Sequence, residues 1–177
     1  MSVSNSAKDV LLIKIDKNYD ENWGEEEYNK LRQTYVDKIA ERDENNSIYK
    51  DSGFDLFVPY VKKEVTIEAR SNKVVNLRVA AALYRSGIPS PYYVYARSSI
   101  YKTPFILANG VGIIDNGYRG NLGIALHNHS MTPQEVKCGT RMVQICLPDL
   151  DPNFDIKLVN ELDDTARGSG GFGSTGQ

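Results

Sequence analysis

The sequence has little of what marks a secreted, membrane or nucleic-acid-binding protein. Its two cysteines, Cys138 and Cys146, are too few for a disulfide framework, so we expect reduced thiols. With 21 Lys and Arg against 23 Asp and Glu, the formal net charge of −2 provides no positive field for a polyanion. No apolar run approaches the roughly 20 residues of a membrane helix, and residues 1–9 lack a signal peptide's apolar core. We expect a soluble, intracellular protein of cytoplasm or nucleus, with no nucleic-acid or membrane partner.

Two familiar site patterns are also missing. His127 and His129 would share a face of a strand, but no Cys, His or carboxylate lies at a spacing that completes a zinc site. The zinc-deaminase pattern of His-x-Glu with Pro-Cys-x-x-Cys is absent. The glycine-rich C-terminus lacks the Gly-Lys-Ser/Thr of a Walker loop. Zinc chemistry and P-loop chemistry are therefore not expected.

The patterns that are present predict one mostly β domain. A chain of 177 residues with 41% hydrophobic content is long enough for one well-buried core. Residues 10–15 are predicted to form a strand, and apolar residues three or four apart predict an amphipathic helix over residues 24–44. Many short β-type runs then suggest a sandwich or jelly roll. These runs are residues 65–67, 74–79, 92–95, 122–126 and 142–147.

The C-terminal residues differ in character from the rest. Five of the final eleven are glycine, beside one arginine and one phenylalanine. Such a segment cannot be core, but glycine lets backbone N–H groups approach a ligand closely, as in phosphate-binding loops. We predict a β domain over residues 1–163 and, over residues 164–177, a flexible arm that closes on a flat, phosphorylated ligand.

Four further segments carry residues suited to such a ligand: residues 51–56, 96–99, 109–120 and 139–144. Arg97-Ser98-Ser99 offers phosphate donors, although three such residues alone are more typical of a solvated arginine and a serine turn. Residues 109–120 contain four glycines and an Asn-Gly pair, which predict a hairpin. Asp115 in that hairpin is a candidate general base, or only the start of its turn.

Together, in this order, the five segments resemble the five signature motifs of the trimeric deoxyuridine triphosphatase (dUTPase) family. The specific ones are Gly-x-Ile-Asp-x-x-Tyr-x-Gly, then Gly-x-Arg-x-x-Gln, then a terminal Arg-Gly-x-Gly-Gly-Phe-Gly-Ser-Thr-Gly. The resemblance covers about residues 47–177 and the first strand. It implies an all-β, dUTPase-like jelly roll or β-barrel with an inserted helix at residues 24–44 and a flexible C-terminal arm.

The resemblance also implies a homotrimer with shared active sites and Mg²⁺-dependent hydrolysis of dUTP to dUMP and pyrophosphate. This reaction limits uracil in DNA and supplies dUMP for thymidylate synthesis. The Mg²⁺ would be held by the triphosphate and by waters, with no direct protein ligand. Asp55 would reach it through water or have a structural role.

Residue roles follow from the same resemblance. Asp115 would activate the water that attacks the α-phosphorus, and Tyr118 would stack under the deoxyribose. The uracil edge would be read by Asn109 and by the backbone of Gly112, Ile113 and Ile114. The phosphates would be held by Arg97, Ser98, Ser99 and Gln144. In the arm, Phe172 would cover the uracil, and the other substrate-binding residues would be Arg167, Gly173, Ser174 and Thr175, with Arg167 on the terminal phosphate.

The chain departs from the family pattern at three places, and three alternative interpretations stay open. Ala96 stands where a proline is usual, Asn121 where a glutamate is usual, and the helix where most members have a short loop. A dCTP deaminase would need a glutamate near Ala125. A catalytically silent nucleotide-binding module is the second alternative, although Asp115 and the whole arm are present. In the third, the helix is a docking element on a housekeeping enzyme.

Overall fold

Thirteen short strands, one α-helix and one 3-10 helix (Ser98–Lys102) make up the regular structure of residues 8–45 and 47–170, the part of the chain that the computed structural model describes. The helix α1 spans Glu25–Glu44. The strands are β1 (Val10–Ile15), β2 (Gly53–Phe57), β3 (Val65–Ile67), β4 (Asn72–Asn76), β5 (Val79–Arg85), β6 (Ile88–Ser90), β7 (Tyr92–Ala96), β8 (Phe105–Leu107), β9 (Val111–Ile114), β10 (Gly123–Asn128), β11 (Gln134–Val136), β12 (Arg141–Cys146) and β13 (Asp155–Val159).

These strands form four small sheets around one apolar core. Their orders are β13-β1-β5-β6, β4-β10-β8, β11-β3 and β2-β12-β7-β9. All pairs are antiparallel except β1 with β13. Burial alternates strictly along β1 and β10, as expected for strands with one face toward a core. The predicted all-β architecture is confirmed.

The predicted run over residues 74–79 is wrong as a single strand. The structure ends β4 at Asn76 and begins β5 at Val79. Between them, Arg78 adopts a positive φ of 58°, and its N–H donates to the Asn76 side chain at 2.8 Å. Its guanidinium pairs with Asp16 and Asp20. These polar contacts turn the chain within a run of strand-forming residues, which local propensity alone does not reveal.

The predicted helix is present and packs against the β domain. Leu31 and Tyr35 on its inner face are completely buried. The Tyr35 ring packs edge-on to Phe57 at a centroid distance of 5.3 Å, and its hydroxyl accepts the Phe57 backbone N–H at 3.1 Å. Near the C-terminal end of the helix, Arg42 stacks over Phe154 and donates to a backbone carbonyl. The helix therefore contributes to the core.

Replacing Tyr35 with Phe should destabilise the protein by about 1–3 kcal/mol, because it leaves the buried Phe57 N–H without an acceptor. Denaturation in urea would measure the loss as a lower midpoint. Tyr49→Phe is the matched control, since the Tyr49 side chain is 83% exposed and its hydroxyl lies in water. Equal midpoints for the two variants would contradict a structural role for the Tyr35 hydroxyl.

Two expectations from composition concern the cysteines and the membrane. Cys138 and Cys146 are both free thiols, and Cys146 is buried. Among the residues described, no helix has the length and apolar character needed to cross a membrane.

Candidate functional site

The hairpin predicted from residues 109–120 is wrong: β9 pairs with β7, the next strand β10 pairs with β4 and β8, and residues 115–118 between them form a turn. Residues 109–118 nevertheless form the wall of a cavity of about 200 Å³. Six of the seven residues predicted to contact the nucleoside or to act as the base line this cavity, and the seventh, Phe172, lies outside the described residues. The six are Asn109, Gly112, Ile113, Ile114, Asp115 and Tyr118. The other lining residues are Leu122, Gly123 and Arg167. The structure thus brings residues 109–118 together with Arg167, near the start of the C-terminal arm.

Strand β9 gives this cavity an open backbone edge. Among the described strands it pairs only with β7, and it is the last strand of its sheet. Along its other side, the backbone groups of an edge strand are available to a ligand. Gly112 fits closely against β7, because a Cβ atom there would lie 3.2 Å from that of Val94. Residues 112–114, whose backbone is predicted to read a base, therefore lie along this open strand edge.

The Tyr118 hydroxyl stabilises the turn that follows β9. The hydroxyl donates to the backbone oxygen of Asn121 at 2.8 Å, and burial raises the pKa of the phenol above its usual value. Its ring is left to line the cavity. A Cβ atom on Gly120 would lie only 2.6 Å from the hydroxyl, so glycine is required there. Asn121 is one of the departures from the family pattern. Its side-chain amide donates a hydrogen bond to the Asp16 carboxylate at 2.8 Å, which connects the segment after the turn to the end of β1.

Asp115 and Arg167 form an ion pair at the mouth of the cavity. Arg167 Nη1 lies 2.6 Å from Asp115 Oδ2, with the side chains 44% and 51% exposed, respectively. The predicted general base and an arginine predicted to bind phosphate are therefore in contact. Because both side chains are open to solvent, Asp115 is accessible to water and the pair is only weakly stabilising.

A second cavity, of about 620 Å³, has walls from β2, β7 and β12 and contains several of the residues predicted to bind phosphate. Arg97, Ser98 and Gln144 line it, and Ser99 Oγ accepts from the Arg97 guanidinium at 3.2 Å. The Gln144 amide lies against the backbone of Gly53, where a Cβ atom would come within 2.0 Å of its oxygen. The cavity is lined by Asp51, Ser52, Gly53, Asp55, Tyr95, Ala96, Arg97, Ser98, Gln144, Cys146 and Leu150.

Asp55 holds two arginines at this second cavity. One carboxylate oxygen lies 2.6 Å from Arg97 Nε, and the other lies 3.1 Å from Arg141 Nη1. The Asp55 side chain is only 12% exposed, whereas the Arg141 side chain is 41% exposed. Sequence reasoning assigned no role to Arg141, although the arginine of Gly-x-Arg-x-x-Gln was the available signal. A buried carboxylate that orients two guanidinium groups suits a site for polyanions.

Asp115 and Arg97 lie at opposite ends of the strand pair formed by β7 and β9. Ile114, just before Asp115, pairs with Tyr92 at the start of β7, whereas Arg97 follows the end of that strand. Arg97 lies five residue steps beyond Tyr92 along the extended chain, which is roughly 17 Å. The cavities share no lining residue. Within one chain, Asp115 and Arg97 therefore do not reach the same phosphate.

The remaining predicted site residues belong to the end of the C-terminal arm. Phe172, Gly173, Ser174 and Thr175 lie outside the described residues. His127 pairs through Nδ1 with the Asn72 side-chain oxygen at 2.7 Å. Over residues 8–45 and 47–170, no group of three or more His, Cys, Asp or Glu side chains is placed to hold a metal ion.

Several known proteins are similar to this chain. The family model described as dUTPase matches residues 42–176. The chain is 39% identical over 128 residues to the deoxyuridine 5'-triphosphate nucleotidohydrolase of Mus musculus, covering 71% of this chain and 73% of that protein. The protein of the same name from Desulfitobacterium hafniense is 40% identical over 127 residues, covering 71% and 81%. The crystal structure of dUTPase from Streptococcus mutans matches 58% of this chain and 80% of that chain, with a TM-score of 0.48 and 24% identity.

Proposed function

The chain belongs to the dUTPase family, and on that premise we propose that it is a dUTP diphosphatase that hydrolyses dUTP to dUMP and pyrophosphate. The observation that carries the proposal is the placement of Asp115. Its carboxylate lies at the mouth of a cavity whose wall is the open edge of β9. A base-reading edge next to a solvent-accessible carboxylate suits hydrolysis of a nucleotide.

Recognition of the nucleoside is proposed to use the backbone of β9. The N–H and C=O groups of Gly112 to Ile114 would pair with the uracil edge, and Asn109 would extend that contact. Tyr118 would place its ring under the deoxyribose, because its hydroxyl is already bonded to Asn121. A sugar packed against the face of a fixed ring leaves little room for a ribose 2′-hydroxyl. Discrimination against UTP would follow from this packing.

Asp115 is proposed to be the general base. Water is a poor nucleophile until a base takes its proton, and an accessible carboxylate can do so. The resulting hydroxide would attack the α-phosphorus, and the bond to the oxygen that bridges the α- and β-phosphates would break. Pyrophosphate would leave with that oxygen, and dUMP would remain. During this step Arg167 would exchange Asp115 for the terminal phosphate, which frees the carboxylate.

The triphosphate is proposed to bind across two chains of a homotrimer. Arg97, Ser98, Ser99 and Gln144 would hold its phosphates, while Asp115 acts on the α-phosphorus. Arg97 and Asp115 are separated by roughly 17 Å of strand within one chain, which favours a site to which two chains contribute. The site would be complete where the cavity that contains Arg97 in one chain lies next to Asp115 of another chain. Closed cyclic symmetry gives three equivalent sites.

The metal requirement is proposed to be met by Mg²⁺ bound to the triphosphate. The dUTPase family is metal-dependent, but the described residues form no cage of three protein ligands. Asp55, predicted to reach the ion through water or to have a structural role, already has both carboxylate oxygens paired with Arg97 and Arg141. This donor set fits a cation that arrives with the substrate. The ion would neutralise part of the charge on the phosphates.

The purified protein should release pyrophosphate from dUTP in the presence of Mg²⁺ and leave dCTP, dTTP and UTP nearly untouched. A pyrophosphate-release assay across these nucleotides, with chromatography of the products, would measure it. Chelation of the metal is the control and should stop turnover. Conversion of dCTP to dUTP would identify a deaminase instead. Nucleotide binding without any pyrophosphate would identify a silent binding module.

A further inference from the structure

The turn that carries Tyr118 is held in place through Asn121. The Tyr118 hydroxyl donates to the backbone oxygen of Asn121 at 2.8 Å, so the position of that oxygen helps to determine where the ring lies. The next residue is also held: the Leu122 N–H donates to the Val79 carbonyl at 2.7 Å, and its carbonyl accepts the Leu77 N–H at 2.9 Å. Tyr118 and Leu122 both line the cavity proposed for the nucleoside. The backbone of residues 121–122 therefore positions two of the residues that form this cavity.

The side chain of Asn121 contacts a carboxylate that is almost completely buried. Asp16, just after β1, is 6% exposed, and its Oδ2 accepts the Asn121 amide at 2.8 Å. Its other side-chain partners among the described residues are also donors: the Asn18 N–H at 2.9 Å and the Arg78 guanidinium at 3.4 Å. An ionised carboxylate has only acceptors, so the residue at position 121 must offer it a donor. A like-charged group at that position would be costly to bury.

The backbone of Asp16 is bonded as firmly as its side chain. Its N–H donates to the Arg78 carbonyl at 2.8 Å, and its carbonyl accepts the indole N–H of Trp23 at 3.1 Å. The Trp23 side chain is completely buried, and the Arg78 guanidinium lies over its ring, 5.5 Å from the centroid. Arg78 also pairs with Asp20. Because Asp16 is held on all these sides, its carboxylate can fix the position of the Asn121 amide.

We infer that Asp16 and Asn121 are positioning residues that set the selectivity of the site for deoxyribose over ribose. Their hydrogen bond fixes the Asn121 backbone oxygen, and that oxygen fixes the Tyr118 ring against which the sugar packs. The inference rests on the proposed function, in which Tyr118 lies under the deoxyribose. It assigns a role to Asp16, which lies outside every segment in which site residues were predicted.

Asn121→Asp tests this contact with almost no change in shape. It replaces the amide donor with a second carboxylate against Asp16, and two like charges at hydrogen-bond distance repel each other. We define the selectivity ratio as kcat/KM for dUTP divided by kcat/KM for UTP, and we expect it to fall about tenfold because the Tyr118 ring is displaced. Pyrophosphate release from each nucleotide measures the ratio. Asn29→Asp, the same change at an exposed position of α1, should leave it unchanged.

Asp16→Asn combined with Asn121→Asp should restore selectivity. In this exchanged pair the hydrogen bond runs in the opposite direction, because the amide now at position 16 donates to the carboxylate now at position 121. The amide oxygen at position 16 can still accept the Asn18 N–H. We expect the selectivity ratio to return to within about twofold of wild type, as for two residues that act through one contact. An exchanged pair no more selective than Asn121→Asp alone would overturn the inference.

Tyr118→Phe tests the second link, from the Asn121 backbone oxygen to the ring. It removes the hydroxyl that donates to that oxygen and should lower the selectivity ratio by a similar factor. Because both substitutions act through one series of contacts, the double variant with Asn121→Asp should lose little more than either single variant. Fully additive losses would overturn the inference.

Melting temperatures and the wild-type protein separate the inference from its alternatives. A lower melting temperature of Asn121→Asp with a wild-type selectivity ratio would give the hydrogen bond a purely structural role and overturn the inference. Asn121→Ala removes the donor without adding a charge and repeats the test if Asn121→Asp does not fold. Tyr118→Ala with an unchanged ratio, or a wild-type protein inactive on dUTP, would overturn the proposed function and the inference with it. A ratio that depends on Tyr118 but not on Asn121 would overturn the inference alone.

Discussion

Replacing Asp115 with Asn should abolish dUTP turnover while the protein stays folded and still binds nucleotide. The amide keeps the shape of the carboxylate but cannot take a proton from water, and loss of a general base lowers rates by about 10²–10⁴-fold. Binding should not weaken, because Asp115 pairs with Arg167 and competes with phosphate for it. Steady-state pyrophosphate release would measure the rate, and calorimetry with a non-hydrolysable dUTP analogue would measure affinity.

Asp43→Asn is the matched control for this variant. It makes the same chemical change at an exposed position of α1 and should leave turnover and affinity unchanged. Full activity of Asp115→Asn would mean that another group is the base. Loss of affinity together with rate would instead give Asp115 a role in holding the substrate.

Removing residues 167–177 should reduce activity far more than stability. Turnover should fall by at least about a hundredfold, since the arginine proposed to stabilise the terminal phosphate is lost. The melting temperature should change by only a few degrees, because the lost Arg167–Asp115 pair is half exposed. The truncated chain keeps the ion pair between Arg119 and Asp163. It also keeps the hydrogen bond that the Thr165 hydroxyl donates to the backbone oxygen of Gly117. Calorimetric melting and pyrophosphate release on the same sample would separate the two effects.

The point variant Arg167→Ala refines this test. It keeps the arm and removes only the guanidinium, so any further loss in the truncated chain belongs to the residues beyond Arg167. A large fall in melting temperature on truncation would show that the arm is a structural element.

Local patterns in the sequence were sufficient for several parts of the structure. The 3.6-residue spacing of Tyr28, Leu31, Tyr35 and Ile39 predicted α1, because a helix that covers a core must place its apolar residues on one face. The turn after β9 was predicted because an Asn-Gly pair favours a tight turn, but the hairpin was wrong, since β9 pairs with β7 and not with the strand after the turn. The predicted run over residues 74–79 failed since Arg78 turns the chain through contacts with distant aspartates.

Other features depend on contacts that no local pattern contains. Arg119 and Asp163 are 44 residues apart, and Asp55 and Arg141 are 86 apart, so neither pair has a spacing signal. The helix also belongs to this group in part. Its amphipathic pattern predicted a covered face, but only packing shows that Tyr35 accepts a hydrogen bond from β2.

The sequence by itself determined the residue types of the site, because a carboxylate, arginines, hydroxyls and glycine-rich turns carry their chemistry wherever the chain places them. It also determined the all-β class through short runs of strand-forming residues. Only the tertiary structure decided the distances. Pairing of β9 with β7 places Asp115 and Arg97 at opposite ends, whereas long-range polar contacts bring Arg167 onto Asp115. The physical reason is that strand register and buried ion pairs join residues far apart along the chain.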